Sequence, residues 1–103
     1  MGALPSKRRD VNLIRDRYFG EAFDGLFEFS MRNGRAIVEF TVDLKTIDAI
    51  DSISETAWDR RDVQFLRLRD RIETVADRRF QNNPPVDRQT IALSAADFQR
   101  WDV

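Results

Sequence analysis

Asn33-Gly34 lies between two runs that alternate apolar and polar residues, Leu26 to Arg32 and Arg35 to Val42, and this stretch constrains the fold more tightly than any other. Asn-Gly tolerates the positive φ angles of a type I′ turn, whose twist suits the strands on either side, so the sequence predicts a β-hairpin. A two-residue loop sets the register. It puts Arg32 opposite Arg35, Met31 opposite Ala36, Phe29 opposite Val38 and Phe27 opposite Phe40. Phe27, Phe29, Met31, Ala36, Val38, Phe40 and Val42 then share one face, because side chains alternate along a strand. Glu28, Ser30, Arg32, Arg35, Glu39 and Thr41 share the other, with Ile37 as its only apolar member. One buried and one wet face call for an antiparallel sheet. Glu28 directly opposite Glu39 is mildly unfavourable unless a third strand supplies an arginine.

Around the hairpin the pattern is mostly helical. Residues 1–12 lack apolar periodicity, carry the basic run Lys7-Arg8-Arg9, and are expected to form a disordered or weakly ordered tail, leaving residues 13–103 as a single domain. Residues 13–23 suit either a further strand or a loop with aromatic anchors, with Tyr18 and Phe19 packing on the sheet edge. After Val42 the period changes. Asp43 offers an N-cap, and Leu44, Ile47 and Ile50 recur at helical spacing, which predicts a short helix over 44–51. A long helix is expected over 55–81. Its apolar stripe comprises Val63, Phe65, Leu66, Leu68, Ile72, Val75, Ala76 and Phe80, centred on Phe65, Leu68, Ile72, Val75 and Ala76. Pro84-Pro85 ends it. Residues 90–93 read as a short strand. Ser94 caps a last helix with Asp97 in its first turn, and Phe98 and Trp101 cover the core's edge. The expectation is an α+β fold: a small antiparallel sheet built on the hairpin plus the 90–93 strand, packed on one long helix, with short flanking helices.

The 103 residues include no histidine and no cysteine. That removes Cys/His zinc sites, thiol catalysis, disulfides and any Ser-His-Asp arrangement. Four glycines, at 2, 20, 25 and 34, cannot form a phosphate-cradling loop. Asp43, Asp48, Asp51 and Glu55 lack the spacing of a calcium loop and read as caps and solvated charges. No pair of acids stands out as a catalytic dyad, so an enzyme is not expected, although residue type leaves a carboxylate-based hydrolase open. No cofactor is expected. The apolar runs are too short to span a membrane. A formal charge of −1 argues against bulk binding to nucleic acid or anionic lipid. The lack of cysteine fits a cytoplasmic protein, and the Arg-for-Lys bias fits a GC-rich bacterial genome.

The candidate partner-binding residues are Arg60, Arg67, Arg71 and Arg78. They share one face of the long helix with Gln64 and Thr74, and such a stripe suits an acidic partner or a phosphate backbone. The plainer reading is a solvated face, because Asp59, Asp62, Asp70, Glu73 and Asp77 are interleaved and Arg69 can pair with Glu73. Phe27 and Phe29 beside Arg32 and Arg35 invite comparison with RNA-binding sheets, but the register assigns both rings to the core face.

Phe65, Arg69, Ile72 and Ala76 form a Phe-x-x-x-Arg-x-x-Ile-x-x-x-Ala helix, and Leu93, Ser94, Asp97 and Phe98 form a closing Leu-Ser-x-x-Asp-Phe. In this order the two patterns resemble a family of short bacterial proteins, the domain-of-unknown-function family numbered fourteen eighty-eight. The resemblance covers roughly residues 26–98. It implies a small α+β bacterial domain and no particular activity. The matched apolar positions read as core, Ser94 and Asp97 as a capping pair, and Arg69 as a bridge from the helix to the chain terminus or to the sheet.

Two expectations follow. The first is a non-enzymatic protein–protein interaction or regulatory module whose partner is another protein or itself, as a homodimer. The absence of catalytic constellations supports it, as do apolar residues in excess of a small core, Trp58 and Leu66 among them. The alternative is a nucleic-acid-binding regulator using the Arg60/Arg67/Arg71/Arg78 face and the Lys7-Arg8-Arg9 arm.

Overall fold

The computed structural model describes residues 13–53, 56–85 and 90–102, apart from the side chains of Tyr18 and Phe19. The expectations for the 1–12 tail, the Lys7-Arg8-Arg9 arm and the packing of Tyr18 and Phe19 lie outside the described residues.

Four strands form one sheet in the order β1-β2-β3-β4: β1 (Ile14–Phe23), β2 (Leu26–Asn33), β3 (Ala36–Asp43) and β4 (Ile91–Leu93). The helices are α1 (Leu44–Ile50), α2 (Arg61–Asn82), preceded by a single 3-10 turn at Trp58–Arg60, and α3 (Ala95–Trp101). The fold is α+β. The sheet is mixed and not antiparallel throughout: β1, β2 and β3 pair antiparallel, whereas β4 joins β3 in parallel, with Phe40 beside Ile91 and Val42 beside Leu93. A parallel neighbour needs a crossover, and α1 and α2 supply it by carrying the chain from the end of β3 back to its start.

The 26–42 hairpin forms with a register two residues away from the expected one. Met31 pairs with Val38, Phe29 with Phe40 and Phe27 with Val42. The two-residue loop is Gly34-Arg35, and only Gly34 has positive φ, as in a II′ turn. An even shift preserves the alternation, so Phe27, Phe29, Met31, Val38, Phe40 and Val42 are buried as expected. Ala36 falls at the end of the hairpin and is exposed. Glu28 pairs with Thr41 and not Glu39; on its other side it faces Glu21 of β1, so the third strand brings a second carboxylate.

Residues 14–23 are the third strand. The turn into β2 is Asp24-Gly25, with φ of 54° and 80°, the backbone of a I′ turn. This Asp-Gly pair is the local signal for the second hairpin. The β1–β2 register shifts between Arg15 and Gly20, so β1 bulges there.

The core lies between the sheet and the helices. Phe65 of α2 stacks on Phe27 with ring centroids 3.8 Å apart, and Phe29 stacks between Phe27 and Phe40 at 5.4 and 5.2 Å. Both Phe27 and Phe29 are therefore core, not base-stacking platforms. Leu68, Ile72, Val75 and Ala76 continue the buried stripe of α2, and Ile47, Ile91, Leu93 and Phe98 close it. Val63 and Leu66 depart from the expected stripe, being 59% and 64% exposed. Val63 lies two residues from Phe65, about 160° around the axis at 3.6 residues per turn. Asp43 stands at the N-cap of α1 without a side-chain capping bond. Ser94 and Asp97 form the expected capping box of α3.

Candidate functional site

α2 organises the charged surface, because its residues face the sheet, α1 and α3 in turn. Toward α1 the contact is a buried polar cluster. Arg61 donates to both carboxylate oxygens of Asp48 at 2.8 and 3.0 Å, with both side chains almost fully covered. Gln64, 2% exposed, places Nε2 within 2.8–3.1 Å of Asp48, Asp51 and Thr56, and Thr56 donates to Asp48 at 2.7 Å. Burial pushes the Asp48 carboxyl up, but hydrogen bonds from Arg61, Gln64 and Thr56 outweigh it and hold the group at about 2. Hydrogen bonds from Arg67, against a smaller cost of burial, likewise bring Asp51 down to about 2. The apolar stripe alone gave no sign that Arg61 and Gln64 are interior residues.

The four candidate arginines fall into two pairs. Arg67 binds Asp51 through two parallel bonds of 2.7 and 2.8 Å. Arg71 holds Asp102, beyond α3, at 2.7 and 3.2 Å and reaches the Ile50 carbonyl. These carboxylates raise the pKa of both guanidinium groups. Arg60 and Arg78 have no carboxylate partner among the described residues. The stripe is thus one face by sequence, with half its cations neutralised from within.

The opposite flank of α2 ties to β1. Arg15 pairs with Asp70 and, at 2.6 Å, with Glu73. Arg69 donates to Glu73 at 2.8 Å and to the Asp16 carbonyl at 2.7 Å, so of its two expected bridges it makes the one to the sheet. Asp77 accepts from the Leu13 backbone at 2.9 Å. These contacts hold the start of β1 against α2.

Two further surface features stand out among the described residues. One is a shallow hollow of about 320 Å³ on the open face of the sheet, where Glu21, Glu28, Glu39, Ser30, Thr41 and Thr90 converge. Among the described residues no three His, Cys, Asp or Glu side chains are placed to hold a metal ion. The other is apolar and lies at the start of α2. Trp58 is 79% exposed, and Ile53, Val63 and Leu66 are exposed near it in the chain. A groove of about 330 Å³ is lined by Ile53, Ala57 and Val63 together with Arg60, Arg67 and the polar cluster of Asp51, Thr56 and Gln64. Sequence reasoning marked Trp58 and Leu66 as surplus to the core. It also placed Val63 and Leu66 at the margin of the core stripe, and their angle around the helix from Phe65 separates them. Among the described residues no helix is long and apolar enough to cross a membrane. Comparison with protein-family models, with curated proteins and with solved structures finds no match.

Proposed function

We propose that this protein is a non-enzymatic interaction or regulatory module that binds a protein partner through the start of α2. The observation that carries this reading is the run of exposed large apolar side chains, Ile53, Trp58, Val63 and Leu66, within residues 53–66, of which Ile53 and Val63 line one groove with Arg60. Tryptophan and arginine are the residues most enriched where interfaces concentrate their binding energy. Large apolar side chains grouped on a surface, rather than scattered singly, mark contact sites. Arg67 and Arg71 spend their donors on Asp51 and Asp102, and the neighbouring Asp59 and Asp62 oppose a phosphate backbone. Protein contact is therefore favoured over nucleic acid on this face.

Affinity capture from a native lysate, with bound nucleic acid assayed in the same sample, tests the proposal. A protein retained by the wild type and lost with Leu66→Asp is the expected result. Nucleic acid held in a salt-sensitive way, and released when Arg67 and Arg71 become Ala, would support the alternative regulator and overturn this reading.

A further inference from the structure

We infer that the start of α2 is a self-association surface, in which Trp58 of one molecule enters the groove beside Val63 of a second copy of this chain. The inference rests on the interaction reading above and names its partner. Among the described residues, four of the seven large exposed apolar side chains, Ile53, Trp58, Val63 and Leu66, fall within residues 53–66. Trp58 projects from a 3-10 turn, and Ala57, its neighbour in the chain, lines the groove. The exposed ring thus springs from backbone between Ala57 and Arg60, both of which line the apolar hollow. A twofold axis needs that arrangement, because the same patch must then give and receive once in each molecule. An indole buries roughly 150–250 Å² and is apolar over most of its surface, which suits a groove walled by Ile53, Ala57 and Val63.

The charges agree with a second copy as the occupant. Asp59 adjoins Trp58, and Arg60 rims the groove. Neither has an ion-pair partner among the described residues. When Trp58 crosses to the other molecule, Asp59 travels with it toward the partner's Arg60. Each copy offers one charge of each sign, so the pairing forms twice about the axis. A polyanionic occupant would meet Asp59 and Asp62 without compensation. The patch is small beside the area of an obligate interface, so the dimer is weak and depends on concentration.

Sedimentation velocity from low micromolar to near-millimolar concentration, together with tryptophan fluorescence in a Trp101→Phe background, tests this. The expected result is a concentration-dependent dimer and a blue shift of Trp58 emission over the same range. Trp58→Ala and Arg60→Asp should each raise the dimer dissociation constant about tenfold or more. The exchange Asp59→Arg with Arg60→Asp should restore the dimer. All three positions are exposed, so unchanged circular dichroism and thermal unfolding are expected for each variant. A strict monomer at every concentration, or a dimer indifferent to Trp58→Ala and Arg60→Asp, would overturn the inference. The monomer result leaves the broader interaction reading to stand or fall on the Leu66→Asp capture experiment.

Discussion

Gly20 stands where β1 approaches β2 so closely that an added Cβ would lie 2.0 Å from the Glu28 carbonyl oxygen and 2.8 Å from the Phe29 Cβ. Its φ of 153° is a conformation that side chains rarely adopt. Gly20→Ala is therefore expected to cost roughly 2 kcal/mol or more, read as a lower urea midpoint. The buried Asp48–Arg61 pair behaves differently, because each partner is tolerable only with the other. Asp48→Ala leaves a buried guanidinium without its carboxylate and should cost about 3–5 kcal/mol, whereas the double variant Asp48→Ala/Arg61→Met should be markedly milder. Urea unfolding of the three proteins measures the difference. The Arg71–Asp102 pair has its guanidinium half in solvent, so Arg71→Ala should change stability by less than about 1 kcal/mol. Little of this was legible residue by residue. The i, i+4 spacing announced Arg69–Glu73, but nothing in the local sequence announced that Arg61 and Asp48, 13 positions apart, would meet in the interior.

The elements whose signals are local were readable. Ser94 and Asp97 sit three apart before an apolar pair, and the capping box they form follows from that spacing. Ser94→Ala should cost about 1 kcal/mol and speed hydrogen exchange of the amides within residues 95–101 before any others. The hairpin was legible in its faces and not in its register. Asn33 pairs with Ala36 as the last strand residue, so the loop falls on Gly34-Arg35 and every partner moves by two. Burial depends on parity and survives such a shift, whereas cross-strand charge pairing does not. That is why Glu28 meets Thr41 in place of Glu39, while the separate β1–β2 pairing sets Glu21 on its other side. The Asp24-Gly25 turn carried a signal as strong as Asn33-Gly34, and reading it would have made residues 14–23 a strand. In α2 the buried stripe was correct at its centre and too wide at its margins, because Val63 and Leu66 lie around the helix from the side that Phe65 turns to the sheet.

At the scale of the whole molecule, α2 holds the layers together through carboxylates: Asp48 and Asp51 bind it to α1, Asp102 binds it to the segment after α3, and its own Glu73 binds it to β1. Asp48 and Asp51 titrate at about 2 in the fold, below the ordinary carboxylate range near 4. Their folded pKa values are depressed, so the unfolded chain binds more protons between these limits. Their contribution is fully present above about pH 4 and is lost as pH falls toward 2. Denaturant midpoints recorded across that range should drop steadily, and the slope should be shallower in Asp51→Asn. The sequence by itself determined the α+β class, the alternation of core and open faces along β2 and β3, the centre of the buried stripe of α2 and the cap of α3. All of these depend on periodicity and neighbouring residues, and a chain cannot satisfy its backbone and bury its apolar faces otherwise. Only the tertiary structure decided that β4 runs parallel, that half the arginine stripe is neutralised, and that Arg61 and Gln64 are interior. Those outcomes depend on where a crossover returns the chain and which distant carboxylate arrives beside which cation, and no local pattern encodes either.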